Sequence, residues 1–123
     1  MIRNINFVNT YQDNKEEEGG AIYVDGIATI SDCNFTDSYC RWEGGAIFLS
    51  GGTISNCNFN NCKANDDGGA IAIWDHAGTV IGCNFTNCHI KDNDDDYDGK
   101  CFKCVAVKRF NHSLPLHRSA CFR

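Results

Sequence analysis

Proline and leucine are nearly missing from this chain: Pro115 is the one proline, and Leu49, Leu114 and Leu116 are the three leucines in 123 residues. Glycine, asparagine and aspartate are plentiful instead, a balance that many short strands joined by tight turns would give. No run approaches the roughly 18 apolar residues that a membrane helix needs. Met1-Ile2-Arg3-Asn4 leads straight into patterned sequence with no apolar leader segment, so no secretory signal is expected in this chain. Acidic residues are missing from 99–123, which hold six basic ones. Residues 1–98 hold all 16 acidic residues and five basic ones, a net −11. The acidic body argues against nucleic-acid binding by residues 1–98. At this length one domain is the ceiling.

What is abundant is repetition. Gly19-Gly20-Ala21-Ile22 returns as Gly44-Gly45-Ala46-Ile47 and as Gly68-Gly69-Ala70-Ile71. Each copy is answered by Cys33-Asn34-Phe35, Cys57-Asn58-Phe59 or Cys83-Asn84-Phe85. A period of this size means a stacked repeat architecture. Ile5-Asn6-Phe7 fits the second phrase, so the chain enters in mid-repeat without a cap and is expected to be a piece of a longer array. Within each repeat, Ile22 and Val24, Ile47 and Leu49, and Ile71 and Ile73 fall on one side of a short strand. Tyr23, Phe48 and Ala72 fall on the other. Glycine pairs supply corners where positive φ is cheap. Three short strands per 24–28 residues predict an all-β fold, a right-handed parallel β-helix of about three to four coils over residues 1–98. A basic tail, 99–123, is expected to form a degenerate last coil, with Gly99-Lys100-Cys101-Phe102 as its corner, and then a disordered end. The alternative is a leucine-rich-repeat-like solenoid, because Ile54-x-x-Cys57-x-Phe59-x-x-Cys62 fits that template as well. Glycine pairs before Ile-Tyr-Val or Ile-Phe-Leu make a poor helix and count against it.

Pairing of Gly-Gly-Ala-Ile with Cys-x-Phe-x-Asn over residues 1–90 resembles the repeat of chlamydial polymorphic membrane proteins. It is also similar to adhesin-like β-helix proteins of methanogens and to protist surface proteins. The resemblance implies a surface-displayed, extracellular, adhesin-like stalk or adhesive face. It departs from the family's Phe-x-x-Asn, since Ser38, Cys62 and Cys88 stand three after the Phe and the amide or acid stands one earlier.

Cys33, Cys57 and Cys83 take the place of Ile5, which predicts an inward column of stacked thiols. Cys40, Cys62 and Cys88 recur near the next turn as a second ladder. Pairing of Cys57 with Cys62, or of Cys83 with Cys88, stays open if the turn bends back. Asn9, Asp37, Asn61 and Asn87 are expected as an inward amide ladder, whereas the sequon residues Asn34 and Asn84 should face outward. No catalytic constellation is visible. Asp66-Asp67 reads as a corner element, and the pectate-lyase-like fold alone licenses no activity. A fragment of such a carbohydrate-active enzyme is the alternative function. The outward aromatic residues Tyr23, Phe48 and Trp74 are the binding candidates, with glycans or proteins of a host or neighbouring cell, and further coils of the same array, as partners.

No cofactor is required by this reading, and two metal motifs compete with bland ones. Asp94, Asp96, Asp98 and Gly99 reproduce the first half of a calcium loop, although Val105 stands where its bidentate Glu belongs. An acidic, solvated turn is the simpler reading. Cys101, Cys104, His117 and Cys121 have zinc-finger spacing. Lys108 where an aromatic is expected, and Pro115 inside the short helix, oppose that reading.

Overall fold

The structure is a computed structural model that describes residues 1–14, 16–74, 76–90, 105–110 and 115–120, the backbone path alone for 106–110 and 115–120. Fifteen strands occur in these segments. In chain order they are β1 (Ile2–Arg3), β2 (Asn6–Val8), β3 (Tyr11–Gln12), β4 (Ile22–Ser31), β5 (Asn34–Thr36), β6 (Tyr39–Cys40), β7 (Ile47–Ser55), β8 (Asn58–Asn60) and β9 (Lys63–Ala64). Then come β10 (Ile71–Trp74), β11 (Gly78–Ile81), β12 (Asn84–Thr86), β13 (His89–Ile90), β14 (Val105–Phe110) and β15 (Pro115–Ala120). They form three sheets. The largest runs β1-β4-β7-β10-β14-β15, with β11 beside β7; the others run β2-β5-β8-β12 and β3-β6-β9-β13. Every pairing is parallel except β14 with β15. The protein is a parallel β-solenoid of about three turns. No helix occurs among the described residues, which removes the leucine-rich alternative, and none is long and apolar enough to cross a membrane.

Register follows the repeated phrases. Ile22 pairs with Ile47, Ile47 with Ile71, and Ile71 with Val105. Phe7, Phe35, Phe59 and Phe85 pair in series, their ring centroids 4.8–4.9 Å apart and within 7° of parallel. That spacing is the distance between hydrogen-bonded strands, so each ring sits directly over its counterpart. The core is a bundle of such columns: Ile47, Leu49, Ile54, Cys57, Phe59 and Cys62 from one coil are all fully buried, and neighbours of like type lie above and below.

Several expectations are corrected. The first two strands of a repeat are one long strand in β4 and β7, and separate only as β10 and β11. Asp25-Gly26 forms an irregularity inside β4, where Val24 pairs with Leu49 and Ile27 with Gly51. A further side, β3-β6-β9-β13, lies where a turn was expected. Val105, not Phe102, occupies the isoleucine column of the next coil. β15 runs antiparallel to β14, a pairing that the basic tail's composition does not signal.

The asparagine expectation fails for a backbone reason. Asn9, Asp37, Asn61 and Asn87 have φ of 54–58° and are exposed. A left-handed residue interrupts the alternation of the strand. After inward Cys33 and Phe35, Asp37 turns outward and Ser38 turns in. The inward column is therefore Thr10, Ser38, Cys62 and Cys88, while Cys40 pairs with Ala64 in a different one. The thiol of Cys62 lies 3.7 Å from the Phe35 carbonyl and that of Cys88 lies 3.4 Å from the Phe59 carbonyl, each donating one coil back. All six described cysteines are free thiols.

Candidate functional site

With the interior filled, chemistry is left to the outward ladders. On the long strands, Tyr23 and Phe48 occupy one column and stack at 5.3 Å, 10° from parallel. Trp74 stands two residues beyond Ala72, which pairs with Phe48, and its ring reaches back to 6.4 Å from Phe48 at 38°. The three residues read from the sequence as a binding face are thus in one cluster. Their exposure differs from expectation: Tyr23 is 53% exposed and Trp74 is partly exposed, but Phe48 is only 7% exposed. Phe48 is the packed middle of the cluster, and Tyr23 and Trp74 are its accessible ends.

Beside Tyr23 opens a cavity of about 490 Å³ lined by Gln12, Glu16, Glu17, Glu18, Gly19, Gly20 and Ala21 as well as the tyrosine. Its charge is negative. Burial, then the carboxylates of Asp25, Glu18 and Glu17, push the Tyr23 phenol up; burial chiefly raises the Glu18 carboxyl. A partner contacting this end meets an aromatic ring within an acidic rim.

Glu18 belongs to a column that the sequence reading missed, although the pattern was visible. An acidic residue precedes every Gly-Gly-Ala-Ile phrase: Glu18, Glu43 and Asp67. Glu43 and Asp67 are bridged in parallel and buried, 1% and 5% exposed. The Gly19 amide donates to the Glu43 carbonyl at 2.9 Å and the Gly44 amide to the Asp67 carbonyl at 3.0 Å. The Gly68 amide donates to Asp67 Oδ1 at 3.0 Å. Asp67 thus serves the corner, and it is buried whereas Asp66 is exposed.

A second outward cluster also escaped the sequence reading. Tyr11 and Tyr39 stack at 4.9 Å, and the Lys63 ammonium lies 5.4 Å from the Tyr39 ring centroid. Tyr11 and Tyr39 each follow a core phenylalanine by four residues, the one signal that could have found them. Beyond Tyr39 the column changes residue type, to Lys63 and His89, which hides it from a search for like residues. Next to it, Asn34 donates to Asn6 at 2.7 Å, Asn58 to Asn34 at 2.8 Å and Asn84 to Asn58 at 2.9 Å, a continuous exposed amide ladder. The outward placement expected for Asn34 and Asn84 agrees with this.

Of the metal candidates, Asp94, Asp96, Asp98, Cys101, Cys104 and Cys121 lie outside the described residues. His117 stands in β15, paired with Lys108. Among the described residues no three His, Cys, Asp or Glu side chains gather where one metal ion could be held.

Comparison with protein-family models, curated proteins and solved structures returned no match. The repeat register and the outward ladders are therefore the grounds for a functional reading.

Proposed function

We propose that this chain is an interaction module of a surface-displayed, adhesin-like β-solenoid, with glycans or proteins of a neighbouring cell as partners and no catalysis of its own. One observation carries the reading: Tyr23, Phe48 and Trp74, drawn from three successive coils, form one outward aromatic cluster with two accessible ends. Aromatic rings on a rigid ladder bury much area on contact and lose little side-chain freedom. The carboxylates around Tyr23 favour a neutral hydroxylated or cationic partner at that end. Extracellular placement accords with the repeat resemblance described above, and further coils of the same kind would extend the face.

The test is binding of the full chain, displayed as an array on beads, to cells and to a glycan panel. Tyr23→Ala and Trp74→Ala should each weaken adhesion about ten-fold or more, the loss expected of a buried aromatic anchor. Unaltered adhesion in both variants contradicts the proposal. Cleavage of uronic-acid polymers, lost on Asp66→Asn, would favour the enzyme alternative instead.

A further inference from the structure

The sheet next to the amide ladder carries a separate cavity of about 370 Å³, lined by Tyr11, Asp37, Ser38, Tyr39, Asn61 and Lys63. None of these residues belongs to the Tyr23 cluster. Their chemistry is mixed in a specific way. Two stacked tyrosines give an apolar wall with phenol hydroxyls at its rim. Lys63 brings a cation held over the Tyr39 ring, with no carboxylate in ion-pair range among the described residues. The other cation of this region, Arg41, lies 4.0 Å from Asp13. Asp37 and Asn61, both left-handed and exposed, are linked by an amide-to-carboxylate hydrogen bond of 3.2 Å. That bond uses one of the carboxylate's several acceptor positions and one of the amide's two donor hydrogens. Behind them the Ser38 hydroxyl is fixed by a 2.7 Å bond from Thr10, and the Lys63 amide donates to the Ser38 carbonyl at 2.8 Å, so the floor is rigid.

We propose that this cleft binds a carboxylate-bearing sugar residue, a uronate unit of an acidic glycan. The sugar carboxylate pairs with the Lys63 ammonium, ring hydroxyls donate to Asp37 and accept from Asn61, and the sugar's C–H groups lie along the edges of the stacked tyrosines. A phosphate dianion fits less well, because its second charge faces the Asp37 carboxylate and it has no C–H groups to set against the tyrosines. A neutral sugar leaves the lysine unmatched, and an apolar peptide leaves Asp37 and Asn61 without partners. The volume falls within the range of small-ligand sites.

The experiment is titration of the full chain with a uronate-containing tetrasaccharide and with the same tetrasaccharide after reduction of its carboxyl groups, followed by calorimetry and amide chemical shifts. The acidic form should bind at least ten-fold more tightly than the reduced form. Lys63→Met should bring the acidic form down to the affinity of the reduced form and leave the latter unchanged. Tyr39→Ala should weaken both, and amide shifts should centre on residues 37–39 and 61–63. Equal binding of the two forms, an unchanged affinity in Lys63→Met, tighter binding of inorganic phosphate, or no binding at all overturns the proposal. Circular dichroism and melting of Lys63→Met and Tyr39→Ala check that the fold persists; if either unfolds, Asn61→Gly, which keeps the left-handed backbone and is expected to weaken both forms, replaces it. Tyr23→Ala should bind the tetrasaccharide like the unaltered chain, so this cleft and the adhesive face stand or fall separately.

Discussion

Cys40 illustrates what a single residue contributes here. Its thiol is fully buried and lies 3.4 Å from the Glu17 carbonyl, which accepts from it, while the Trp42 amide donates to its sulfur at 3.4 Å. Burial pushes its pKa from 9.0 up to about 11. The sign follows directly. The folded chain keeps this proton after the unfolded chain has lost it, so the stabilisation is complete below pH 9 and is lost as pH rises towards 11. Cys57 and Cys62 are raised as well, each first by the neighbouring thiol one coil away, Cys83 or Cys88, and then by burial. The contacts that raise them lower Cys83 and Cys88, so each pair shifts in opposite directions and the pH dependence rests on Cys40. The thermal midpoint should therefore fall between pH 9 and pH 11. Cys40→Ala, which the Ala64 of the same column shows to be sterically acceptable, should make the fall shallower. An identical slope in the two proteins would contradict the assignment. Cysteine here is a core residue that also donates to the preceding coil, and its type alone misled the sequence reading. Cys40 follows Phe35 by five residues, whereas Cys62 and Cys88 follow their phenylalanines by three. Spacing, not residue identity, sets the column.

At the scale of the element, the glycine corner has two distinct requirements. Gly44 has φ of 71°, in the left-handed region, and needs the freedom of glycine. Gly45 needs the absence of a side chain: an added Cβ would collide with the Gly69 carbonyl oxygen and lie 2.7 Å from that of Lys63. Both obstacles are backbone, so neither can swing aside. Gly45→Ala should lower unfolding free energy in denaturant titrations by about 2 kcal/mol or more, from the cost of overpacking. Gly26→Ala, which would meet only the Val24 side chain at 3.9 Å, should change it by less than about 0.5 kcal/mol. Comparable losses in the two variants would contradict this view of the corner. Elements were legible wherever like residues repeat: the isoleucine, phenylalanine and cysteine columns and the outward place of Tyr23, Phe48 and Trp74 all follow from period-two alternation. The reading broke at left-handed residues. Asp32 and Asp37 have φ of 54° and 58°, and after each the count of inward and outward positions must restart. Alternation cannot signal that restart, so the sheet through Tyr39 and the cleft beside it stayed hidden. Burial of Phe48 was equally out of reach, because it depends on Trp74 reaching back across the pleat from the next coil.

Over the whole molecule, polar and apolar ladders run side by side for the length of the stack. Inward columns give cohesion between coils, and outward ones leave two aromatic clusters of different charge on separate sheets. The Tyr23 end has an acidic rim, and the Tyr39 cleft carries Lys63. Both depend on one premise, that residues 24 to 28 positions apart sit one above another. A one-residue slip would turn Tyr39 and Lys63 inward and bring Phe35 and Phe59 to the surface. Nuclear Overhauser contacts between the phenylalanine rings test that premise most directly. Contacts linking Phe7 to Phe35, Phe35 to Phe59 and Phe59 to Phe85, with none from Phe35 to Phe85, are the predicted result. Missing neighbour contacts, or a Phe35-to-Phe85 contact, would contradict the stacked register on which both clusters depend.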